Sequence, residues 1–509
     1  MAARQREISV SEFFTKNRHL LGFDNPQKAL LTAVREAVDN SLDACEEAGI
    51  LPDLEIEIAE LAENRYRIAV QDNGPGIVSQ EIPKVFGKLL YGSKFHRLKQ
   101  QRGQQGIGIS AAGMYAQLTT GQPVAIVSRT GKRKPAHRFR LAIDTQRNAP
   151  VVQQEEQIEW EPERGTRVEL ELEAIYKKGR RSVDDYVQQT ALINPHARIR
   201  YTPPKDPATL YDRVGAELPR EAVEIRPHPH GVELGALLQL AKESPARNLR
   251  GMLTSEFSRV GPTVADAICR HAGLEPTARP RRLTSAQVER LFRAIPQVKI
   301  MAPPTACLSP VGEDLLRGVL QQRLEAQFSD AVTRSPAVYR GNPFQVEVGL
   351  AYGGTLPAEE PVELYRFANR VPLQYQQSAC AITKALLSID WKNYGLQQAR
   401  GALPTGPLAI FVHVASVWVP FTSESKEAVA SYPEIVKEIR LAAMEAGRRL
   451  GVFLRRRSRE ADEHKKRAYI SKYLPTIGQA LQEILGFSDA QREKTVGNLR
   501  TILERSRKP

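Results

Sequence analysis

The run Arg35-Glu36-Ala37-Val38-Asp39-Asn40-Ser41-Leu42-Asp43-Ala44 constrains this chain more than any other stretch. At ~3.6 residues per turn, Leu31, Val34, Val38, Leu42 and Cys45 fall on one stripe, which predicts a helix with one face built for burial. Glu36, Asn40 and Asp43 then gather on the opposite face. An acid, an amide and a second acid about one turn apart suit metal and proton work. The amide oxygen is a hard ligand for Mg²⁺, and a carboxylate one turn away can polarise a water. The solvated face of an ordinary amphipathic helix has the same pattern, so the meaning of the stretch depends on the rest of the chain. Asp24-Asn25-Pro26 is a helix-start signal ahead of it. The short amphipathic stretch from Val10 to Leu21 reads either as a packed helix or as an arm that clasps a partner.

After Gly49 and Pro52, Leu54, Ile56 and Ile58 alternate with Glu55 and Glu57, and beyond Asn64 the residues Tyr66, Ile68 and Val70 alternate with polar neighbours. A period of two predicts two strands, each with one buried face, paired as a hairpin. The second strand runs into Asp72-Asn73-Gly74-Pro75-Gly76-Ile77. Glycines at 74 and 76 let the backbone turn sharply and approach a flat ligand, and Asp72 at the strand tip can accept from an exocyclic amine such as that of adenine. An ordinary Asp-Asn-Gly turn looks the same. Leu90-Tyr91-Gly92-Ser93-Lys94 follows, and then Gly103-Gln104-Gln105-Gly106-Ile107-Gly108-Ile109-Ser110 opens a helical segment to about Leu118. A glycine-rich turn at a helix start presents backbone N–H groups at the positive end of the dipole, which holds phosphates without side chains. Neither a P-loop Gly-Lys-Ser/Thr nor a dinucleotide fingerprint is present. Further strands are expected over Val124 to Ser128, Arg138 to Ile143 and Val168 to Leu172, the last behind Gly165-Thr166, where a hydroxyl could complete a base pocket. The outcome is an α+β sandwich, a mixed sheet with helices on one face.

At roughly 100 to 200 residues per domain, 509 residues predict about three domains. The 72 basic against 58 acidic side chains leave a formal charge of +14, which favours a polyanionic partner. The sequence contains no run of 18 apolar residues and no signal-like apolar segment behind the basic start, so it reads as soluble, unexported and without a membrane partner. Cys45, Cys269, Cys307 and Cys380 are scattered without Cys-x-x-Cys spacing, which argues against zinc and against a disulfide framework and fits a reducing cytoplasm.

Glu36-x-x-x-Asn40, Asp72-x-Gly74-x-Gly76, the glycine loop over 103 to 108 and Gly165-Thr166, in this order, resemble the Bergerat-type (GHKL) ATP-binding fold shared by gyrase, the large heat-shock chaperone, histidine kinases and mismatch-repair ATPases. The resemblance implies ATP and Mg²⁺ as cofactors. It makes Glu36 the general base for the attacking water, Asn40 the Mg²⁺ ligand, Asp72 the adenine reader and the glycine loop, through Ile109 and Ser110, the phosphate lid. Gly76, Ser93, Lys94 and Thr166 join the nucleotide contacts.

Further along, Pro227-His228-Pro229-His230-Gly231-Val232-Glu233 opens a segment to residue 303 in which the run from Phe257 to Asp266 resembles a helix-two-turn-helix module. Arg279, Arg281 and Arg282 beside it could meet phosphates or simply be solvated. After Ala302-Pro303-Pro304, strand-like runs over Phe344 to Ala351, Val362 to Phe367 and Leu408 to Val419 and a long helix from about Pro433 resemble a transducer domain, related to a ribosomal S5-like α+β unit. Its Thr422-Ser423-Glu424-Ser425-Lys426-Glu427 loop stands where that domain sends a lysine, here Lys426, to the γ-phosphate.

This order of modules resembles the B-subunit family of type IIB topoisomerase VI. It implies an ATPase domain over 1–226, a helix-two-turn-helix domain over 227–303, a transducer over 304–468 and a tail of short helices over 469–509. Two more runs match the family as DNA contacts, Lys178-Gly179-Arg180-Arg181 and Trp391-Lys392-Asn393-Tyr394, although Trp391 taken alone reads more readily as core, since tryptophan is mostly buried. The implied partners are duplex DNA, a DNA-cleaving A subunit in an A2B2 heterotetramer, and a second copy on ATP binding, associated with the nucleoid. The implied function is an ATP-operated gate for cleavage, strand passage and religation. An ATP-gated DNA clamp or scaffold without strand passage is the alternative, and the helix-two-turn-helix segment separates the two.

Overall fold

The computed structural model describes residues 8–92, 97–103, 106–423 and 426–505. The helix predicted around Glu36 is α2 (Pro26–Glu47), preceded by the short α1 (Val10–Lys16). Asn25 caps α2 by accepting from the Lys28 N–H at 2.9 Å, and Pro26 occupies the first turn, where its missing N–H costs nothing. Leu31, Val34, Val38, Leu42 and Cys45 are all buried, as the stripe requires.

β1 (Asp53–Ala62) and β2 (Arg65–Asp72) form the expected antiparallel hairpin, pairing Ile56 with Val70 and Ile58 with Ile68. α3 (Ile82–Gly87), α4 (Gly108–Thr120), β3 (Val124–Arg129), β4 (Ala136–Asp144), β5 (Ala149–Ile158), β6 (Gly165–Glu173), α5 (Val183–Ile193), β7 (Arg198–Thr202) and β8 (Thr209–Tyr211) complete the first segment. The eight strands lie in the order β5-β4-β3-β6-β2-β1-β7-β8. All neighbours are antiparallel except β1 and β7, which run parallel. Ile56, Ile68, Leu170 and Ile126 point from the sheet into one core with α2 and α4, whereas Arg67, Arg138 and Arg140 on the other face are exposed. This alternation makes the unit a two-layer α+β sandwich. β5 has no simple sequence signal because its exposed, mostly polar residues lack a buried partner face.

Four helices follow, α6 (Leu234–Glu243), α7 (Leu249–Glu256), α8 (Pro262–Ala272) and α9 (Ser285–Ala294), around Leu237, Met252, Phe257, Ile268 and Leu291. The Phe257-to-Gly261 part of the predicted module is the turn between α7 and α8. Thr284 and Gln287 form a reciprocal capping box at the start of α9.

The third segment contains α10 (Glu313–Arg323), β9 (Phe328–Thr333), β10 (Ala337–Tyr339), β11 (Asn342–Tyr352), β12 (Glu363–Ala368), β13 (Val371–Pro372), α11 (Ala381–Leu387), β14 (Gln397–Gln398), β15 (Pro404–Thr405) and β16 (Leu408–Ser416). Its sheet runs β10-β11-β16-β12-β13, with β9 also on β11. The central strand β16 is buried at every position, which explains its largely apolar sequence, broken only by His413 and Ser416.

By compactness the chain divides into one unit of residues 1–389 with 399–446 and another of residues 390–398 with 447–509. In the second unit, the tail departs from expectation. α12 (Pro433–Leu485) runs through Pro475, where short helices are predicted, and only then gives way to α13 (Asp489–Arg505). Pro475 removes one ladder bond without ending the helix, and Gly478 leaves room for Val496 of α13, since a Cβ there would lie 2.3 Å from it. Among the described residues no helix is long and apolar enough to cross a membrane. The four cysteines are buried and none is paired.

Candidate active site

Twelve of the residues singled out in the sequence line one cavity of about 560 Å³: Glu36, Asn40, Asp72, Gly76, Gly103, Gly106, Ile107, Gly108, Ile109, Ser110, Thr166 and Lys426. That volume suits a small-molecule site. Ser93, Lys94, Gln104 and Gln105 lie outside the described residues. Leu21, Phe23, Ile77, Val85, Phe86 and Val168 give the cavity an apolar wall.

At one end Asp72 closes β2. Its Oδ1 accepts from the N–H groups of Gly74 at 2.9 Å and Thr166 at 3.1 Å, and its Oδ2 from the Ser41 hydroxyl at 2.9 Å. Burial pushes the carboxyl up, and these three bonds only partly oppose the shift. A carboxylate has about four acceptor positions, so Asp72 retains capacity for a ligand amine. Ser128 stitches the neighbouring strands together, its Oγ accepting from the Ile77 N–H at 2.8 Å and lying 3.0 Å from Thr166 Oγ1. Gly76 turns at φ +70, and a Cβ there would sit 2.1 Å from the Arg129 carbonyl. Gly76→Ala is therefore expected to cost roughly 2 kcal/mol or more, read as a lower midpoint in thermal unfolding. An unchanged midpoint would mean that the turn is not held as described.

At the other end α4 starts without a side-chain cap, and its first ladder bond runs from the Ala111 N–H to the Ile107 carbonyl at 2.8 Å. The N–H groups of Gly108, Ile109 and Ser110 thus precede the ladder and form the positive end of the helix. The Ser110 hydroxyl is buried and within reach of the Val85 and Lys88 carbonyls, at 3.2 and 3.1 Å, so this residue offers the cavity its backbone. Glu36 packs directly against the helix start, because a Cβ on Gly108 would lie 1.8 Å from Glu36 Oε2.

Arg35 Nη2 stands 3.1 Å from Glu36 Oε1. Burial pushes the Glu36 carboxyl up, but Lys426 and Arg35 more than offset it, and the group is held below the usual carboxylate range. Burial and the Glu36 charge instead push Asp39, three residues on, up to about 7, and the Tyr186 hydroxyl donates to it at 3.2 Å. The site thus separates two neighbouring carboxyls, one ionised and one titrating near neutrality. Lys426 reaches in from the far end of the sequence, its backbone at φ +52 and its Nζ donating to the Arg102 carbonyl at 3.0 Å. Asn40 opens into the cavity one turn from Glu36.

Asp43 does not join this group. Its Oδ1 accepts from Arg102 Nη1 at 2.8 Å in a buried ion pair, so the second acid of the helix face is spent on structure. Sequence reading also misses Ser41, Ser128, Asp39 and Arg102. The only local signal for Arg102 is that Asp43 and Glu46 share a helical face and need a cation.

The predicted DNA contacts divide. Lys178, Arg180 and Arg181 are exposed, with Lys178 Nζ 2.5 Å from Asp206 and the Arg181 guanidinium 5.9 Å from the centre of the Tyr375 ring. In the second unit, Trp391 is 0% and Tyr394 8% exposed, so their side chains are core and not DNA contacts, while Lys392 is exposed. For Tyr394 the cause is packing, since α12 presents Gly447 to its ring, where a Cβ would come within 2.8 Å.

Residues 25–174 match the model of the histidine kinase-, DNA gyrase B- and HSP90-like ATPases. Fold, cavity and match define the class, an ATPase of that type. Residues 303–466 match the transducer of the topoisomerase VI B subunit. The B subunit of type 2 DNA topoisomerase 6 from Methanococcoides burtonii is 50% identical over 486 residues, covering 95% of this chain and 78% of its own. That of Archaeoglobus fulgidus is 47% identical over 500 residues, covering 98% and 83%. The chain belongs to the family of type 2 DNA topoisomerase 6 B subunits, and with it to the ATP-dependent type II topoisomerases.

Proposed function

We propose that ATP binds in the 560 Å³ cavity and that its hydrolysis there operates a gate on duplex DNA. The observation that carries this reading is the meeting of Glu36, Asn40 and Lys426 around one uncapped helix start. The adenine amine donates to Asp72 while the base packs on Ile77 and Val85. The phosphates lie at the start of α4, held by its N–H groups and dipole. Glu36, kept ionised, orients the attacking water and accepts its proton. Lys426 donates to the γ-phosphate, so the third segment senses whether that phosphate is present.

Mg²⁺ fits this donor set. Among the described residues no group of three or more His, Cys, Asp or Glu could hold a metal, and the single amide of Asn40 suits an ion that keeps its waters and is shared with phosphates. When bound, the ion neutralises phosphate charge.

On this reading two copies dimerise around ATP, and the state passes through the transducer to an A subunit in an A2B2 assembly acting at the nucleoid. That A subunit cuts and rejoins the duplex. Lys178, Arg180, Arg181 and Lys392 are exposed cations able to neutralise DNA phosphates, each contact adding salt-dependent affinity without base specificity.

Light scattering after size exclusion tests the gate. The full chain is expected to become a dimer only with a non-hydrolysable ATP analogue and Mg²⁺, and to support ATP-dependent relaxation of supercoiled DNA once the A subunit is added. Nucleotide-dependent dimers without relaxation would favour the clamp. A state indifferent to nucleotide would remove the gate.

A further inference from the structure

Gln100, Gln101 and Arg102 stand immediately before the glycine loop and are buried despite being polar, at 9%, 8% and 5% exposure. Each is bonded to a different part of the chain beyond residue 300. The Gln100 amide exchanges two bonds with the Ser309 backbone, Nε2 donating at 3.1 Å and Oε1 accepting at 2.7 Å. The Gln101 carbonyl accepts from Asn369 Nδ2 at 3.0 Å. The Arg102 carbonyl accepts from Lys426 Nζ, also at 3.0 Å. Asn369 belongs to the two-residue turn between β12 and β13, where Asn369 and Arg370 both take positive φ, +47 and +64. That conformation is unfavourable for Arg370, and the turn is pinned by Asn369 bonding both backbone groups of Ser416, at 2.9 Å each.

The Arg102 guanidinium points the other way, onto the helix that carries Glu36 and Asn40. Nη1 donates to Asp43 and Glu46, both at 2.8 Å, and Nη2 to Glu46 at 2.7 Å and to Asn194 at 2.6 Å. Charge-assisted bonds from a planar fork fix orientation as well as distance. Arg102 does this from behind the nucleotide site, lining a separate cavity of about 430 Å³.

We infer that Arg102 is a positioning residue for Lys426: its guanidinium is locked to the Glu36 helix, which fixes its carbonyl, and that carbonyl takes one of the three ammonium hydrogens of Lys426 and aims the others at the cavity. The inference deepens the proposed reading of the site and rests on it. Any shift of the glycine loop, which begins at the next residue, then reaches α2 and Lys426 together. Arg102 should therefore govern turnover more than nucleotide affinity.

The test uses the full chain assembled with its A subunit and DNA. In a triple variant, Arg102→Met with Asp43→Asn and Glu46→Gln, the two carboxylates that pair with the guanidinium lose their charge together with it. It is compared with Lys426→Ala and with the combination of all four changes. Melting temperature, Kd for a non-hydrolysable ATP analogue, kcat and KM are measured. The triple variant is expected to keep its melting temperature and bind the analogue within about threefold, while kcat falls about 10- to 100-fold. The combination is expected to be no slower than Lys426→Ala alone, because both changes act on one arrangement. Parental kcat in the triple variant, or losses that multiply in the combination, would overturn the inference. Should the triple variant not fold, Arg102→Lys keeps the charge without the fork and is expected to show the same fall in kcat, whereas parental turnover would count against the assignment. If Lys426→Ala itself turns over normally, the reading of the site falls and this inference with it. If Lys426→Ala is slow and the Arg102 variants are normal, only the inference falls.

Discussion

Glu36→Gln is expected to lower kcat about 10²- to 10⁴-fold, the usual contribution of a positioned general base, while leaving the affinity for an ATP analogue within a few fold. The amide fills the same space against Gly108, whose missing side chain makes room for it, but it cannot take a proton. In the proposed site binding rests elsewhere, on Asp72 and the start of α4, so affinity and turnover should separate. An electrostatic consequence follows. The Glu36 charge is one of the causes that push Asp39 up to about 7, so its removal should let the Asp39 carboxyl titrate lower. Single-turnover hydrolysis together with analogue titration would check the assignment, and equal loss of both quantities would show that Glu36 holds the nucleotide and does not act on water.

Glu347→Ala is expected to destabilise the third segment by about 3–5 kcal/mol. Glu347 and His413 face each other across β11 and β16 and are each 0% exposed. Glu347 accepts from the Val311 N–H at 2.8 Å, the Gly312 N–H at 2.7 Å and the Thr333 hydroxyl at 3.0 Å, and lies 2.7 Å from His413 Nδ1. Deleting the carboxylate strands all of these groups away from water. Burial lowers the His413 pKa, which the glutamate only partly offsets, and keeps the imidazole neutral. Burial also works against ionised Glu347, but His413 and the two N–H groups hold it below the usual range. Both folded values lie below the unfolded ones, so the unfolded state binds more protons as pH falls. The contribution is complete above about 6.5, the ordinary histidine value, and is lost first through the histidine range and then through the carboxylate range. Denaturant unfolding at pH 8 and pH 5 would show it, with the parent weaker at pH 5. A variant that melts like the parent at pH 8 would mean the buried pair contributes nothing.

The features legible in the sequence are those carried by local periodicity and by glycine. The α2 stripe, the β1–β2 hairpin and the glycine loop are each complete within a few turns or one strand pair, so spacing alone predicts them. The lysine of the transducer loop is different. Nothing local marks Lys426, and its place is expected only from the family resemblance. Arg102 escapes a sequence reading because its partners are remote, 59 residues away for Asp43, as are those of Gln101, whose bond to Asn369 spans 268 positions. The aromatic residues of the Trp391 run show the converse. A basic residue flanked by aromatics suggests a nucleic-acid surface, but Trp391 is fully buried and Gly447 of a distant helix makes room for the Tyr394 ring to pack inward. The tail reads as short helices, yet α12 continues through Pro475 to Leu485, and α13 packs Val496 against Gly478 just beyond that proline, a remote contact that no local pattern announces.

The burial of all four thiols has a practical consequence for watching such a gate. Burial pushes the Cys269 and Cys307 thiols up to about 11 and that of Cys45 higher still, so they are poor nucleophiles at neutral pH. A cysteine introduced at an exposed position, for instance in place of Lys392, would outcompete them for a maleimide. The native chain is thus already a quiet background for paired spectroscopic labels, and opening and closing could be followed without removing a single natural cysteine.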